Sequence, residues 1–229
     1  MTQHLDNELV KLRQQLFEMW SLVISQVETS REALVNYDKD AAAEIAFKER
    51  MVDTYELKID RDCENFIALN TPVATDLRFA LAALKINTDL ERIGDFARGI
   101  AKFVKKCPSE SLNPELIKIC QIDDLLKNVV EMLSDAKKSF ENENSRMAIS
   151  IFSHDDFIDE VYKKSTRIIA DYIKKHPEEL EESLNMHSII RRIERMGDHC
   201  ENIAEQIVFY IEAKVLKHSG KKNVVENKK

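Results

Sequence analysis

Carboxylates placed one helical turn apart are the part of this sequence best suited to chemistry. Glu91 with Asp95, and Glu194 with Asp198, are spaced i, i+4, so that both acids of each pair project from one helix face. In a chain with 41 acidic residues, one such pair reads as a solvated face. Two further features separate these pairs from that background. Gly94 and Gly197 stand inside the pairs, at mid-helix positions where Gly costs about 1 kcal/mol relative to Ala, and together they are half of the four glycines present. A Gly at the same place in both pairs implies close approach of another helix or of a ligand. The segments upstream supply matching acids: Asp53, Glu56 and Asp60 at i, i+3 and i+7 in one, and Asp156 and Asp159 in the other. Apposed carboxylate faces repel unless cations bridge them, and oxygen-only donors favour magnesium, calcium, manganese or iron over soft-site metals. These nine acids are therefore candidate ligands of two metal sites.

The elements that must carry them are long amphipathic helices. Apolar residues recur three and four apart through Leu9, Leu12, Leu16, Met19, Trp20, Val23 and Val27, the stripe of a first helix from about Leu5 to Asn36. A second runs from about Asp40 to Leu69, and a third from Pro72 to about Cys107 carries Leu77, Ala80, Leu84, Leu90, Ile93, Ala97 and Ile100. Cys107 to Pro114 reads as the linker. Three more helices are expected over about 115–141, 146–175 and 179–217, with His176-Pro177 marking the last break. Helices of about 30 residues are about 45 Å long, so the fold expected is all-α, two elongated three-helix bundles in tandem. The expected units are residues 1–108 and 109–217, followed by a polar tail, 218–229, expected to be disordered.

The halves are copies of one another. Glu91-Arg92-Ile93-Gly94-Asp95-Phe96-Ala97-Arg98-Gly99-Ile100-Ala101 aligns without gaps on the segment Glu194 to Ala204, a shift of 103 residues, with six of the eleven positions identical. The same shift carries Asp53 onto Asp156, Glu56 onto Asp159, Ala33 onto Ala136 and Leu9 onto Leu112. It also exposes differences: Asp60 becomes Lys163, Arg98 becomes Glu201, and Phe96 becomes His199. Lys163 lies one turn from Asp159 and is placed to neutralise part of its own acidic face, so the two sites should differ in affinity or in the number of ions held.

The doubled E-R-[IM]-G-D motif, the segment Asn70-Thr71-Pro72-Val73-Ala74-Thr75-Asp76-Leu77-Arg78 and the duplication itself resemble the PhoU family of phosphate uptake regulators, from about Leu5 to Lys217. That resemblance implies two three-helix bundles whose repeated motifs hold multinuclear clusters of iron or zinc, with manganese or magnesium also suited to the donors. It maps the motif acids onto Glu91, Asp95, Glu194 and Asp198, with Asp53, Glu56, Asp156 and Asp159 completing the sets. It implies negative regulation of phosphate uptake and of phosphate-starvation signalling, through a phosphate ABC transporter and a two-component sensor kinase, by a protein that self-associates as a homodimer. A metal-storage or redox metalloprotein and a metal-free interaction module are the other readings open to the same fold.

Several classes are disfavoured. A net charge of −7 argues against a general nucleic-acid surface. The sequence has no phosphate-binding or dinucleotide-binding glycine loop and no nucleophile motif, so an enzyme is not expected. Cys63, Cys107, Cys120 and Cys200 form no CxxC pair and read as reduced thiols. With no apolar signal segment and no run near the ~18 residues of a membrane span, the expected location is the cytoplasm. His199 is turned about 100° from Asp198 around the helix and is expected outside the ligand set. Lys102, Lys105 and Lys106 read as a helix C-terminus favoured by its dipole.

Overall fold

A computed structural model describes residues 2–107 and 112–216, with side chains described from Leu5 onward. The expected tail, 218–229, and the middle of the expected linker lie outside the described residues. Helices α1 (Thr2–Val35), α2 (Lys39–Asn70) and α3 (Ala74–Lys106) form the first bundle, and α4 (Pro114–Ile119), α5 (Ile122–Glu141), α6 (Ser145–Lys175) and α7 (Leu180–Glu212) the second, with a 3-10 turn at Pro177–Glu179.

Local chemistry sets most of these boundaries. Asp38 caps α2 by accepting from the Asp40 and Ala41 amides, Asn113 caps α4 ahead of Pro114, and Asn144 caps α6 by accepting from Met147 N. Thr71 ends α2 in the left-handed region, at φ 44°. As a result α3 starts at Ala74, two residues beyond the proline at which the sequence places it. The helix expected over 115–141 is in fact two pieces. Gln121 has φ 53°, and the Cys120 and Gln121 amides turn back onto the Leu116 and Lys118 carbonyls. Its apolar periodicity runs through Leu116, Ile117 and Ile122, all buried, so the pattern conceals the break. The last helix ends at Glu212, where Ala213 takes φ 57°, short of the expected Lys217.

The two bundles share one core. α2 packs on α3 and α6 on α7, while α3 lies along α7 and α1 along α5. The α3–α7 seam is antiparallel: Arg78 Nε donates to the Tyr210 carbonyl, His199 pairs with Asp89, and Arg192 lies over Gly99. Where α1, α3, α5 and α7 meet, Trp20, Phe79, Phe140 and Tyr210 form an aromatic knot with ring centroids 5.5–6.1 Å apart. Trp20 Nε1 donates to the Leu133 carbonyl across it at 3.1 Å. Rings in this arrangement give the joint both apolar burial and a fixed geometry. Among the described residues, no helix is long and apolar enough to cross a membrane.

Candidate metal centre

In each half the acids stand on the two helices packed face to face, so the clusters arise from the α2–α3 and α6–α7 pairings rather than from either helix alone. In the first, Asp53, Glu56 and Asp60 of α2 face Glu91 and Asp95 of α3. Glu56 is pushed above the usual carboxylate range by partial burial and by the charges of Asp60, Asp53 and Asp95, and Glu91 by burial and by Asp95, Glu56 and Asp53. Arg92, lying toward both, offsets part of this. Asp60 is held at the edge of the group by buried Asn87, whose Nδ2 donates to Asp60 Oδ1 at 2.8 Å and to the Glu56 carbonyl at 3.0 Å. A sixth acid joins this cluster. Glu49, buried on α2 one turn before Asp53, is pushed up to about 7 by burial and by hydrogen bonding to Asp95.

A cation of the chain's own lies among these acids. Arg98 Nη2 is 2.6 Å from Asp95 Oδ1, and its Nε is 3.1 Å from Glu49 Oε1.

The second cluster is built differently. Glu194 is raised by burial and by the charges of Asp198, Asp159 and Asp155. One oxygen from each of Asp155, Asp198 and Glu201 lies within 4.8 Å of the other two, a convergence that no three acids of the first cluster reach among the described residues. Asp155 is buried at 2% exposure, whereas Asp156, the residue the repeat shift selects, is exposed. Lys163 Nζ pairs with Asp159 Oδ2 at 2.9 Å, as its position one turn away implies. His199 points away from the acids: its Nδ1 meets Asp89 Oδ1 on α3 at 2.7 Å, and its ring lies against Phe96.

The paired glycines make room for polar side chains. A Cβ on Gly197 would overlap Asp155 Oδ1 and come within 3.2 Å of Ile158 Cδ1. A Cβ on Gly94 would sit 2.8 Å from Gln26 Oε1, which α1 inserts at the equivalent place. Gln26 Nε2 in turn reaches Glu49 Oε2 at 3.5 Å. The close approach expected at both glycines is thus made by protein, a carboxylate in one half and an amide in the other.

Glu49 and Asp155 escape the sequence reading for definite reasons. Glu49 is four residues before Asp53 and so extends the same face, a signal that was present. Asp155 corresponds to Val52 under the shift of 103, so the repeat that reveals the other acids conceals this one.

All the donors are carboxylate oxygens, and Glu56, Glu91 and Glu194 are held at raised pKa first by burial and then by like-charged neighbours, a repulsion that a hard cation would relieve. The family model for the PhoU domain matches twice, at residues 16–104 and 122–207. The chain belongs to the PhoU family. It is 30% identical over 224 residues to the phosphate-specific transport system accessory protein PhoU homolog of Pseudomonas putida, covering 97% of this chain and 86% of that one. With the accessory protein PhoU of Escherichia coli strain K12 it shares 30% identity over 213 residues, 93% of this chain and 87% of the relative. The crystal structure of PhoU from Pseudomonas aeruginosa superimposes with a TM-score of 0.86 at 29% identity, over 91% of this chain and 99% of that one. The phosphate transport system regulatory protein PhoU from Streptococcus pneumoniae does so at 0.81 and 30%, over 92% and 98%. The doubled motif lies inside both matched segments, Glu91 to Asp95 in the first and Glu194 to Asp198 in the second.

Proposed function

We propose that this PhoU-family chain is an accessory regulator that restrains phosphate uptake and phosphate-starvation signalling. It works in the cytoplasm as a homodimer, by docking its helical flanks on the ATPase of a phosphate ABC transporter and on a two-component sensor kinase, and not by turnover. The double PhoU match, to relatives named as accessory proteins of the phosphate-specific transport system, carries this reading.

The carboxylate clusters belong to the same reading as metal sites for iron, zinc, manganese or magnesium. Asp53, Glu56, Asp60, Glu91 and Asp95 serve the first, and Asp156, Asp159, Glu194 and Asp198, joined by Asp155 and Glu201, serve the second. An ion held by these acids would supply positive charge that offsets their mutual repulsion. The side chains do the rest: they hold the apposed faces in register and set which surface a partner meets.

The test compares untagged parent with Glu194→Gln/Asp198→Asn, by elemental analysis and native mass spectrometry and then by titration against the purified transporter ATPase. Stoichiometric metal that falls in the variant, together with weaker ATPase binding, is the expected result. A parent that binds the ATPase equally well with and without metal removes the clusters from the mechanism. A parent that binds neither ATPase nor kinase refutes the regulatory role.

A further inference from the structure

The turn between α6 and α7 gathers ligand atoms of a kind that the carboxylate clusters lack. A ring nitrogen of His176 and one carboxylate oxygen each from Glu178 and Glu179 lie within 4.8 Å of one another. Among the described residues, one other group converges so closely, Asp155, Asp198 and Glu201, and it holds no nitrogen. The backbone sets the convergence: His176 N donates to the Tyr172 carbonyl at 3.0 Å, Pro177 restricts the turn, and Glu179 N donates back to the His176 carbonyl at 3.1 Å. Neighbouring side chains then orient two of the three donors. The Tyr172 ring stacks on the His176 imidazole, with centroids 4.5 Å apart and 24° between the planes. Its hydroxyl donates to Glu179 Oε2 at 2.8 Å, and Asn113 Nδ2 donates to Glu179 Oε1 and Oε2 at 3.0 and 2.8 Å. A carboxylate accepts at about four lone-pair positions, so Glu179 is steadied from behind and keeps capacity for an ion. Glu178 is exposed, and its Oε1 is 3.7 Å from His176 Nδ1, too far for a hydrogen bond. Two donors of one tetrahedral zinc ion stand about 3.3 Å apart, so a small rotation of Glu178 closes the set.

We propose that His176, Glu178 and Glu179 form a separate cation site, outside both acidic clusters, for a zinc-class divalent ion whose coordination water completes. Imidazole with carboxylate is a donor set for zinc and its first-row neighbours, and magnesium and calcium prefer oxygen alone. The surroundings are negative as well: Tyr172 is pushed above the ordinary tyrosine range by burial, by its bond to Glu179 and by the charges of Glu179, Glu115 and Glu182. Lys102, Lys106 and Arg192 line the adjoining cavity of about 600 Å³ together with Glu178 and Glu179, and none of the three cations forms an ion pair among the described residues. That cavity gives an ion and its water a path in from solvent. The site also has something to hold. Asn113 caps α4 at the entry to the second bundle, and its backbone N donates to Glu182 Oε1 at 2.8 Å while its amide is held by Glu179. An ion that fixes Glu179 therefore fixes the point at which the linker enters the second bundle. None of this depends on metal in the acidic clusters.

The experiment titrates Zn²⁺ into the untagged full chain and follows the imidazole nitrogens by NMR, with the bound ions counted by native mass spectrometry. The His176 ring resonance, assigned by its loss in His176→Gln, should move at a Zn²⁺ concentration at least about tenfold below that which moves the other imidazoles. His176→Gln should carry one Zn²⁺ fewer per chain, and Glu179→Gln should weaken that ion by at least about tenfold. Should His176→Gln fail to fold, the resonance in the unsubstituted chain, assigned instead by its proximity to the Tyr172 ring, still decides. A His176 ring that does not respond, or responds only along with the other imidazoles, overturns the proposal, as does an equal Zn²⁺ count in parent and His176→Gln. The acidic clusters are judged separately: metal that falls only in Glu194→Gln/Asp198→Asn while the His176 ring stays still overturns this site and leaves theirs, whereas one Zn²⁺ per chain that vanishes in His176→Gln upholds this site and leaves the clusters empty of zinc.

Discussion

Adding one methyl group at Gly197 tests whether the glycine of the motif is there for a carboxylate. In an unencumbered helix, Gly→Ala stabilises by about 1 kcal/mol. Here the new Cβ would overlap Asp155 Oδ1 and press on Ile158 Cδ1 at 3.2 Å, both on α6. Asp155 is buried and short, so its carboxylate can give way only by leaving its place beside Asp198 and Glu201 or by pushing α6 off α7. Overpacking of that kind costs about 1–3 kcal/mol, and it outweighs the propensity gain by roughly 1 kcal/mol. In an Asp155→Ala background the carboxylate overlap is gone and only the approach to the flexible end of Ile158 remains, so the same substitution should instead stabilise by up to about 1 kcal/mol. A double-mutant cycle measured by urea unfolding in chelator should therefore show about 2 kcal/mol of coupling between the two positions. Gly197→Ala that stabilises the parent as much as it stabilises the Asp155→Ala variant would refute the reasoning, because the glycine would then be making room for nothing.

Glu49 is raised from 4.5 to about 7, chiefly by burial. The folded chain therefore holds a proton that the unfolded chain has released, and stability is greatest below 4.5 and falls as pH rises through about 7. The loss over that window is about 3 kcal/mol. Glu49→Gln should reduce this slope in urea unfolding between pH 5 and pH 8 with chelator present, the remainder coming from the raised Glu56, Glu91 and Glu194, and identical slopes for parent and variant would disprove it. Trp20→Phe shrinks a fully buried ring and leaves the Leu133 carbonyl without its indole donor, at a cost of about 1–3 kcal/mol. Because that ring lies in the core joining α1 to α5, calorimetry should show a single transition moving down in temperature, whereas two transitions with only one displaced would mean that the bundles are not energetically joined there.

Much of the molecule is legible without coordinates. Apolar periodicity yields the long helices, because a stripe at helical spacing has one way to be buried. The gapless shift of 103 residues yields the two-fold repetition and pairs Glu91 and Asp95 with Glu194 and Asp198. Spacing also places Lys163 beside Asp159 and turns His199 away from the acids, since both follow from positions on a single helix. The break at Gln121 is different in kind. Cys120 and Gln121 are neither Gly nor Pro, so nothing in the local residue types announces the left-handed residue there.

Whatever depends on one helix at a time can accordingly be read from the order of the residues: the stripes, the caps at Asp38, Asn113 and Asn144, the repeated acids, and the family to which they belong. What meets across helices emerges only once the chain is folded. Asp155 rather than its neighbour Asp156 is turned inward against Gly197, Glu49 lies buried against Arg98, and α3 and α7 run antiparallel through one shared core. A helix specifies its own faces by spacing, whereas the rotation and depth at which two faces interlock are settled by the summed packing of all the side chains between them.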